Sequence, residues 1–394
     1  MGLPTCFSLY ARNRHGADCI NDHRETPPDK PRRRGWRRLA AGLIFSLAFG
    51  PALSEPLRIA MYHTELSRDG PGLLLRDIVK GEDDQILANM SVIRAANADV
   101  IVLADVDFDA NLVALNAFAD QLELYPYRFA LPPNRGVQQG FDLDRDGRLG
   151  EPEDAHGYGR FVGDGGLAVL SKWPVVAAQV RDLSRLPWSD FPGAIPPDGI
   201  PVTLRLSTTG HWIVPVKVTS DQILNLMVWH ATPPVFDGPE DMNGRRNHDE
   251  AALWLNVLNS TSNEITEPFV LAGISNLDPV DGDGRPEALN ALLSHPRLKD
   301  PRPASVGAVQ AATDDGGINL TQSGDPGLDT VDWSDEDNRP GNLRVAYALP
   351  SADLTIADAG VLWPADADSP LGQDVRLASR HRLVWVDVCL VPCP

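Results

Sequence analysis

The chain has 394 residues, of which 43% are hydrophobic and 23% are charged, so wholesale disorder and a fibrous protein are excluded. Its formal net charge is −19 and is unevenly placed: residues 1–54 carry nine Lys and Arg against four Asp and Glu, whereas residues 55–394 carry 26 against 50. Tight nonspecific binding to nucleic acid needs a basic surface, and the acidic body argues against it.

The first segment in chain order has the layout of a secretory signal peptide. A basic stretch, Arg32–Arg38, precedes an apolar run, Leu39–Phe49, which is too short to span a bilayer comfortably. Small residues then precede a cleavage site before Glu55. An uncleaved anchor or a buried helix is the alternative. Residues 1–54 are therefore interpreted as a polar extension plus signal peptide, which predicts an exported protein, periplasmic or extracellular, without a stable membrane span.

Strand-like and helix-like segments alternate through residues 55–394, and no linker divides this body into two cores. Continuous apolar runs predict buried strands, and apolar residues three or four apart predict helices. Two regions, 133–164 and 299–340, predict long loops. The order favours an α/β fold, a four-layer sandwich with two central mixed sheets flanked by helices. The predicted strands are 57–63, 99–106, 127–131, 166–172, 202–207, 211–218, 224–231, 269–276, 343–350, 354–363 and 382–390, and the predicted helices are 73–81, 85–98, 111–123, 248–259 and 286–295.

The first long loop carries alternating acidic residues with the ligand spacing of an EF-hand calcium loop. Carboxylates supply hard oxygen ligands for Ca²⁺, and Gly147 stands at the position that permits the sharp turn. A solvated acidic turn is the alternative. The ligand positions fall on Asp142, Asp144, Asp146, the backbone carbonyl of Arg148, and Glu153.

Arg246 and Asn247 follow the strand that ends at His230, in a place where they could contact a phosphate. Alternatively, Asn247 caps the next helix, with Glu250 three residues on as its capping-box partner.

Two cysteines, Cys389 and Cys393, lie close together near the end of the sequence. In an oxidising compartment they could form a small disulfide loop. A metal site is the alternative, but it would need more soft ligands nearby in the sequence. The spacing therefore favours a disulfide.

Polar side chains at several strand ends, of the kind used in metal-assisted hydrolysis, complete the pattern. In their order and spacing, the segments around them resemble the endonuclease/exonuclease/phosphatase superfamily, which has the DNase-I-like fold. The resemblance runs from Leu57 to Val388. The matching segments are RIAMYHTEL, DVIVLADV, GGLAVLSKWP, VWHATPP, LAGISNLDP, LRVAYALPS and ASRHRLVWVDV.

The resemblance implies phosphoester hydrolysis assisted by a divalent metal, usually Mg²⁺, held by carboxylate and amide oxygens. It also implies a histidine that handles a proton or developing charge. Three residues keep the superfamily's catalytic types. His230 matches its phosphate-contacting histidine, Asn276 matches the asparagine of its G-D-x-N turn, and His381 matches the histidine of its closing S-D-H strand.

Five other positions depart from the superfamily's pattern. His63 stands where the resemblance implies a metal-site asparagine, and Asp105 where it implies a metal-binding glutamate. Ile274 replaces the aspartate that positions the attacking water, and Ala346 replaces the aspartate that orients the terminal histidine. Arg380 replaces the aspartate of S-D-H and reverses its charge.

Two hypotheses follow for the function of this site. The first is an exported family member whose metal-dependent phosphoesterase site is weakened or inactive. The second is an active nuclease or phosphatase, acting on a phosphate ester, in which His63 and Asp105 hold a divalent metal in an altered way. A histidine nitrogen binds a transition metal more readily than it binds Mg²⁺.

Overall fold

The computed structural model describes residues 55–260, 265–336 and 339–391. The predicted signal peptide lies outside the described residues. Within those ranges, no helix is long and apolar enough to cross a bilayer. The described residues form one compact unit.

Two β-sheets and the helices around them make up this unit. The strands are β1 Leu57–Leu66, β2 Val100–Val106, β3 Tyr127–Phe129, β4 Gly166–Ser171, β5 Arg181–Asp182, β6 Gly210–Lys217, β7 Ile223–His230, β8 Phe269–Ile274, β9 Val331–Asp332, β10 Asn342–Leu343, β11 Ala346–Pro350, β12 Thr355–Leu362 and β13 Leu383–Cys389. The helices are α1 Leu73–Lys80, α2 Asp84–Ala96, α3 Val113–Leu122, α4 Met242–Asn259, α5 Glu287–Leu293, α6 Val306–Asp315 and α7 Pro370–Ala378.

The larger sheet has six strands in the order β12-β13-β1-β2-β4-β3, and the second has five in the order β11-β8-β7-β6-β5. Both sheets are mixed, because β1 runs parallel to β2 and β7 runs parallel to β8, while the other neighbours are antiparallel. Strands β9 and β10 form a separate two-stranded ribbon. The predicted fold class is confirmed.

Alternation along the strands explains how the layers pack. On β2, Val100, Val102 and Ala104 belong to the core between the two sheets, whereas Ile101 and Leu103 pack against the outer helices. Successive side chains of a strand point to opposite faces, so a continuous apolar strand serves two apolar layers. Helices α4 and α5 cover the outer face of the second sheet in the same way.

The same alternation determines which polar side chains meet. Along β1, Ile59 and Met61 face the inter-sheet core, and His63 is the next residue of that set. Along β7 the inward set ends at His230, which pairs in register with Ile274 of β8. Ile274 in turn pairs with Ala346 of β11. The sheets therefore bring these positions to one end of the shared core.

Three sequence predictions differ from the structure. Residues 202–207, predicted as a strand, are irregular, with one isolated bridge from Arg205, and Leu204 and Leu206 pack around Trp188. The predicted loop 299–340 contains α6, whose small side chains give little helical periodicity. Helix α7 was not predicted: it begins at Pro370 after the Ser369 cap, and its buried residues are Gly372, Val375 and Ala378, which give a weak apolar pattern.

A buried histidine outside the strand-end site links β6 to α4. His211 is fully buried, its Nδ1 lies 2.8 Å from the Ser207 hydroxyl, and its Nε2 lies 3.1 Å from the backbone carbonyl oxygen of Glu250. A neutral ring protonated at Nε2 satisfies both contacts. Burial lowers the pKa of His211 to about 4, and the hydrogen bond to Glu250 only partly opposes that effect.

We predict that His211 makes stability fall with acidification between pH 6.5 and 4. In this window the unfolded chain takes up a proton that the folded chain does not, so the free energy of unfolding decreases by about 1.4 kcal/mol per pH unit. Urea denaturation at several pH values measures this slope. The His211→Gln variant should show a shallower slope by this amount, and equal slopes for the two proteins would contradict the assignment.

Candidate functional site

The three histidines predicted as site residues come into contact at the end of the inter-sheet core. His63 stacks on His381 with ring centroids 4.0 Å apart and an interplanar angle of 17°. His230 meets the His63 ring edge-on at 5.1 Å. All three are buried. We call His63, His230 and His381 the histidine cluster.

Burial keeps the histidine cluster uncharged. It lowers the pKa of each ring, and it is the largest influence on all three. Neighbouring guanidinium groups lower the pKa values further, and Asp105 opposes the shift for His63 and His230. Among the described residues, no partner lies within hydrogen-bond distance of the Nδ1 atom of any of the three rings. The rings therefore pack as neutral groups.

Asn276 holds His230 in one orientation. The backbone of Asn276 is left-handed, with φ 52°, and its amide nitrogen donates to the Ala231 carbonyl at 2.8 Å. The same nitrogen lies 3.3 Å from His230 Nε2. Because an amide nitrogen only donates, Nε2 accepts, and the His230 proton resides on Nδ1.

The positions of two implied carboxylates are apolar and buried. Ile274 and Ala346 are both fully buried in the inter-sheet core and pair in register on the neighbouring strands β8 and β11. The hydroxyl of Thr330 accepts the backbone N–H groups of Val345 and Ala346 at 2.9 and 3.0 Å. No carboxylate among the described residues is bonded to the ring of His381, so that ring lacks a charged orienting partner.

Arg380 makes an ion pair with Glu65 of β1. Its Nη2 lies 2.6 Å from Glu65 Oε1, and its backbone N–H donates to Oε2 at 3.0 Å. The reversed charge is thus balanced by a local acid.

Asp105 lies on a β-bulge and is paired with an arginine that the sequence did not single out. Its φ is 57°, and the register of β2 shifts there. Asp105 Oδ1 accepts from Arg135 Nη1 at 2.8 Å, and Oδ2 accepts from the Ser67 hydroxyl at 3.1 Å. Burial alone would raise the pKa of Asp105, but the Arg135 guanidinium, helped by the hydrogen bond from Ser67, outweighs burial and lowers that pKa to about 2. Arg135 comes from the long loop at 133–164, where no motif marks it.

The residues around Asp105 do not fit a Mg²⁺ site. Mg²⁺ takes near-octahedral oxygen ligands. Here one carboxylate already binds a guanidinium, and the predicted second ligand, His63, offers a nitrogen. Within the described ranges, the only group of three His, Cys, Asp or Glu side chains with ligand atoms within 4.8 Å of one another lies elsewhere, in the acidic loop.

That group consists of Asp142, Asp144 and Asp146, as the loop spacing predicted. The backbone N–H of Gly147 donates to Asp142 at 2.9 Å, which folds the loop around the carboxylates. Three predicted ligands therefore lie close enough together to share one cation.

The remaining predicted ligands of the loop are arranged differently. Glu153 is exposed on a single helical turn, Pro152–Asp154, and does not join the group. Asp154 is buried instead and accepts the N–H groups of Leu143 and Gly150 at 2.9 and 2.8 Å. The guanidinium of Arg148 reaches Glu151 at 3.2 Å. The Asp154 carboxylate therefore closes the loop.

Arg246 and Asn247 have structural roles. Asn247 is not a helix cap, because α4 begins five residues earlier, and its amide donates to the carbonyls of Thr232 and Ser275, both at 2.6 Å. It therefore ties together the chain segments that follow β7 and β8. Arg246 is buried, and its Nε donates to the Leu206 carbonyl at 2.9 Å, so its guanidinium does not point to solvent.

Cys389 at the end of β13 is disulfide-bonded. Its predicted partner, Cys393, lies outside the described residues, so the pairing of these two cysteines stays a prediction.

Known proteins resemble the chain in sequence and in fold. The family model described as Endonuclease/Exonuclease/phosphatase family matches residues 79–381. A solved endonuclease/exonuclease/phosphatase from Beutenbergia cavernae is 19% identical, with a TM-score of 0.52, and the match covers 86% of this chain and 73% of that one. The human Nocturnin catalytic domain with bound sulfate is 15% identical, with a TM-score of 0.47 and coverage of 85% and 94%. No curated protein sequence matches the chain.

Proposed function

The chain belongs to the endonuclease/exonuclease/phosphatase family, and from this premise we propose that it is an exported member whose phosphoesterase site is weakened or inactive. The family acts on phosphoesters and generally uses divalent metals. One observation carries the proposal: the histidine cluster is buried and neutral, and the positions paired in register beside His230 carry Ile274 and Ala346 where the family has carboxylates.

The loss of the carboxylate at Ala346 bears on His381. A histidine that receives a proton during hydrolysis needs an acceptor on its other nitrogen to orient the ring and stabilise its charged form. A methyl group cannot accept a hydrogen bond, and His381 Nδ1 has no partner within the described structure. Protonation would also place a charge 4.0 Å from the His63 ring and near Arg380 and Arg382.

The loss of the carboxylate at Ile274 bears on the attacking water. Ile274 ends the inward set of β8 and is fully buried in the inter-sheet core. An aliphatic side chain neither binds a metal nor accepts a proton from water. His230 and Asn276 remain and bond to each other, so His230 keeps its orientation although position 274 has no carboxylate.

We predict that the wild-type protein shows no Mg²⁺- or Mn²⁺-dependent hydrolysis of bis-p-nitrophenyl phosphate above the level of a His230→Ala/His381→Ala double variant. The physical reason is the missing pair of carboxylates. A nitrophenolate release assay with each metal in turn measures it. Robust wild-type turnover that the double variant loses would establish the alternative, an active hydrolase with an altered metal site.

Restoring the five residue types that the family resemblance implies, together with Arg135→Ala to free the Asp105 carboxylate, should bring some hydrolysis back. Single reversions should do little, because groups that act as a unit are strongly non-additive. Circular dichroism must accompany the assay, since Ile274→Asp places a carboxylate in an apolar core. A folded combined variant that stays inactive would argue against a decayed site of this kind. The changes to combine are His63→Asn, Asp105→Glu, Arg135→Ala, Ile274→Asp, Ala346→Asp and Arg380→Asp.

Export is proposed from the basic and apolar pattern of residues 1–54, and the disulfide at Cys389 supports it, because disulfides persist in oxidising compartments. We predict a mature N-terminus near Glu55. Mass spectrometry of protein recovered from its native host measures that terminus. Intact precursor in the soluble cytosolic fraction would contradict export.

We also propose that Asp142, Asp144 and Asp146 bind Ca²⁺, which the spacing of the loop and the proximity of the three carboxylates support. A ligand that binds only the folded chain stabilises it, by about 2.7 kcal/mol at a hundredfold excess over Kd. We therefore predict a higher Tm in millimolar Ca²⁺ than in EGTA. Asp142→Ala/Asp144→Ala should abolish the rise, and Asp221→Ala/Asp283→Ala, at exposed sites elsewhere, should keep it. An unchanged wild-type melting curve would exclude the site.

A further inference from the structure

We propose that the guanidinium of Arg135 is a built-in cation, which fills an oxygen-lined cavity beside Asp105, and that its removal opens this cavity to a divalent metal ion. The inference rests on the proposed function and deepens it, because it names the group that now neutralises Asp105. The structure and the family's usual metal disagree at this point, and Arg135 accounts for the disagreement.

The hydrogen bonds and ion pairs of Arg135 are with oxygen atoms. Nη1 lies 2.8 Å from Asp105 Oδ1 and 3.3 Å from the carbonyl oxygen of Gly165. Nη2 lies 3.9 Å from Asp164 Oδ1, and Nε donates to the carbonyl oxygen of Tyr158 at 3.0 Å. The side chain is only 19% exposed. Two carboxylates and two carbonyls thus surround one enclosed positive charge.

The backbone beside Arg135 leaves room for its guanidinium group. Gly165 has a φ of 58°, and a Cβ at this position would collide with both the Asp105 carboxylate and the Arg135 guanidinium. Its N–H donates to Asp107 Oδ1 at 3.1 Å, and its carbonyl oxygen accepts from Arg135. Gly136, beside Arg135, has a φ of 73° and lies against the backbone of Phe161. The loop therefore holds the arginine at a defined depth.

The local charge balance favours a cation at this position. Asp105 and Asp164 are buried, and Asp107 adds a third buried carboxylate beside Gly165. Asp164 Oδ2 is engaged by the backbone N–H of Arg160 at 2.8 Å, which leaves Oδ1 facing the guanidinium. Buried carboxylates without a counter-charge are strongly destabilising.

The chemistry of the cavity without arginine suits hard divalent cations. Carboxylate and carbonyl oxygens are the ligands of Mg²⁺, Mn²⁺ and Ca²⁺. A guanidinium excludes such an ion both by its charge and by its volume. Truncation to alanine removes both obstacles, substitution by glutamine removes the charge while keeping much of the length, and substitution by lysine keeps the charge.

The test is Mn²⁺ binding, followed by the loss of the free-ion signal in electron paramagnetic resonance. All proteins carry Asp142→Ala, Asp144→Ala and Asp146→Ala, so that the acidic loop does not contribute, and this triple variant is the parent. Arg135→Ala should bind one equivalent of Mn²⁺ at least tenfold more tightly than the parent or Arg135→Lys. Adding Asp105→Ala should return the affinity to that of the parent.

Circular dichroism of each variant establishes that it is folded. If Arg135→Ala does not fold, Arg135→Gln provides the test, because its amide nitrogen takes the place of Arg135 Nε and can still donate to the Tyr158 carbonyl. Arg135→Gln too should bind Mn²⁺. Folded Ala and Gln variants that bind no more tightly than the parent would overturn the proposal. So would a parent protein that already binds Mn²⁺ through Asp105.

These outcomes are separate from those of the hydrolysis assay. Failure of the Arg135 variants to bind Mn²⁺ would overturn the built-in cation and leave the inactive site standing. Wild-type turnover would overturn the inactive site, whatever the Arg135 variants bind.

Discussion

The end of the inter-sheet core is shielded from water, and this constraint determines the state of every group at the site. A charged side chain there must have a counter-charge, and a titratable side chain without one must be neutral. Asp105 satisfies the rule through Arg135, and the histidine cluster satisfies it by staying unprotonated. Ile274 and Ala346 satisfy it by carrying no polar atom in their side chains.

These solutions depend on one another. With apolar residues at 274 and 346, the site has fewer carboxylates to neutralise, and a single guanidinium next to Asp105 is a sufficient counter-charge. The Arg380 side chain is 66% exposed, so its charge remains in contact with water, and Glu65 also pairs with it at 2.6 Å. Arg380 is thus matched by Glu65, and Ile274 and Ala346 are matched by each other in the core, as expected for the inactive site proposed above.

Most of the fold and the convergence of the histidines could be predicted from the sequence, because both depend on strand alternation and on motif order. His63 and His230 continue the inward sets of β1 and β7, which are readable from spacing, and His381 directly precedes β13. Arg135 could not be predicted, since it reaches Asp105 from a loop whose course depends on glycine conformations and long-range contacts. Long-range folding also places the Thr330 hydroxyl beside β11, which the sequence does not reveal. Sequence spacing placed Glu153 among the calcium ligands, but the folded loop leaves it outside the carboxylate group.

Apolar residues at positions 274 and 346 also favour stability over hydrolytic function. Replacing a buried charged group by a well-packed apolar one is often neutral or stabilising, because desolvation of the charge is avoided. Ile274 and Ala346 face each other in register within the inter-sheet core, so both changes extend that core to the end of the strands. A hydrolytic site at this place keeps charges that the fold would otherwise avoid, and function is what retains them. If the site is inactive, as proposed, packing favours the apolar pair, and Arg135 neutralises Asp105 from within the chain.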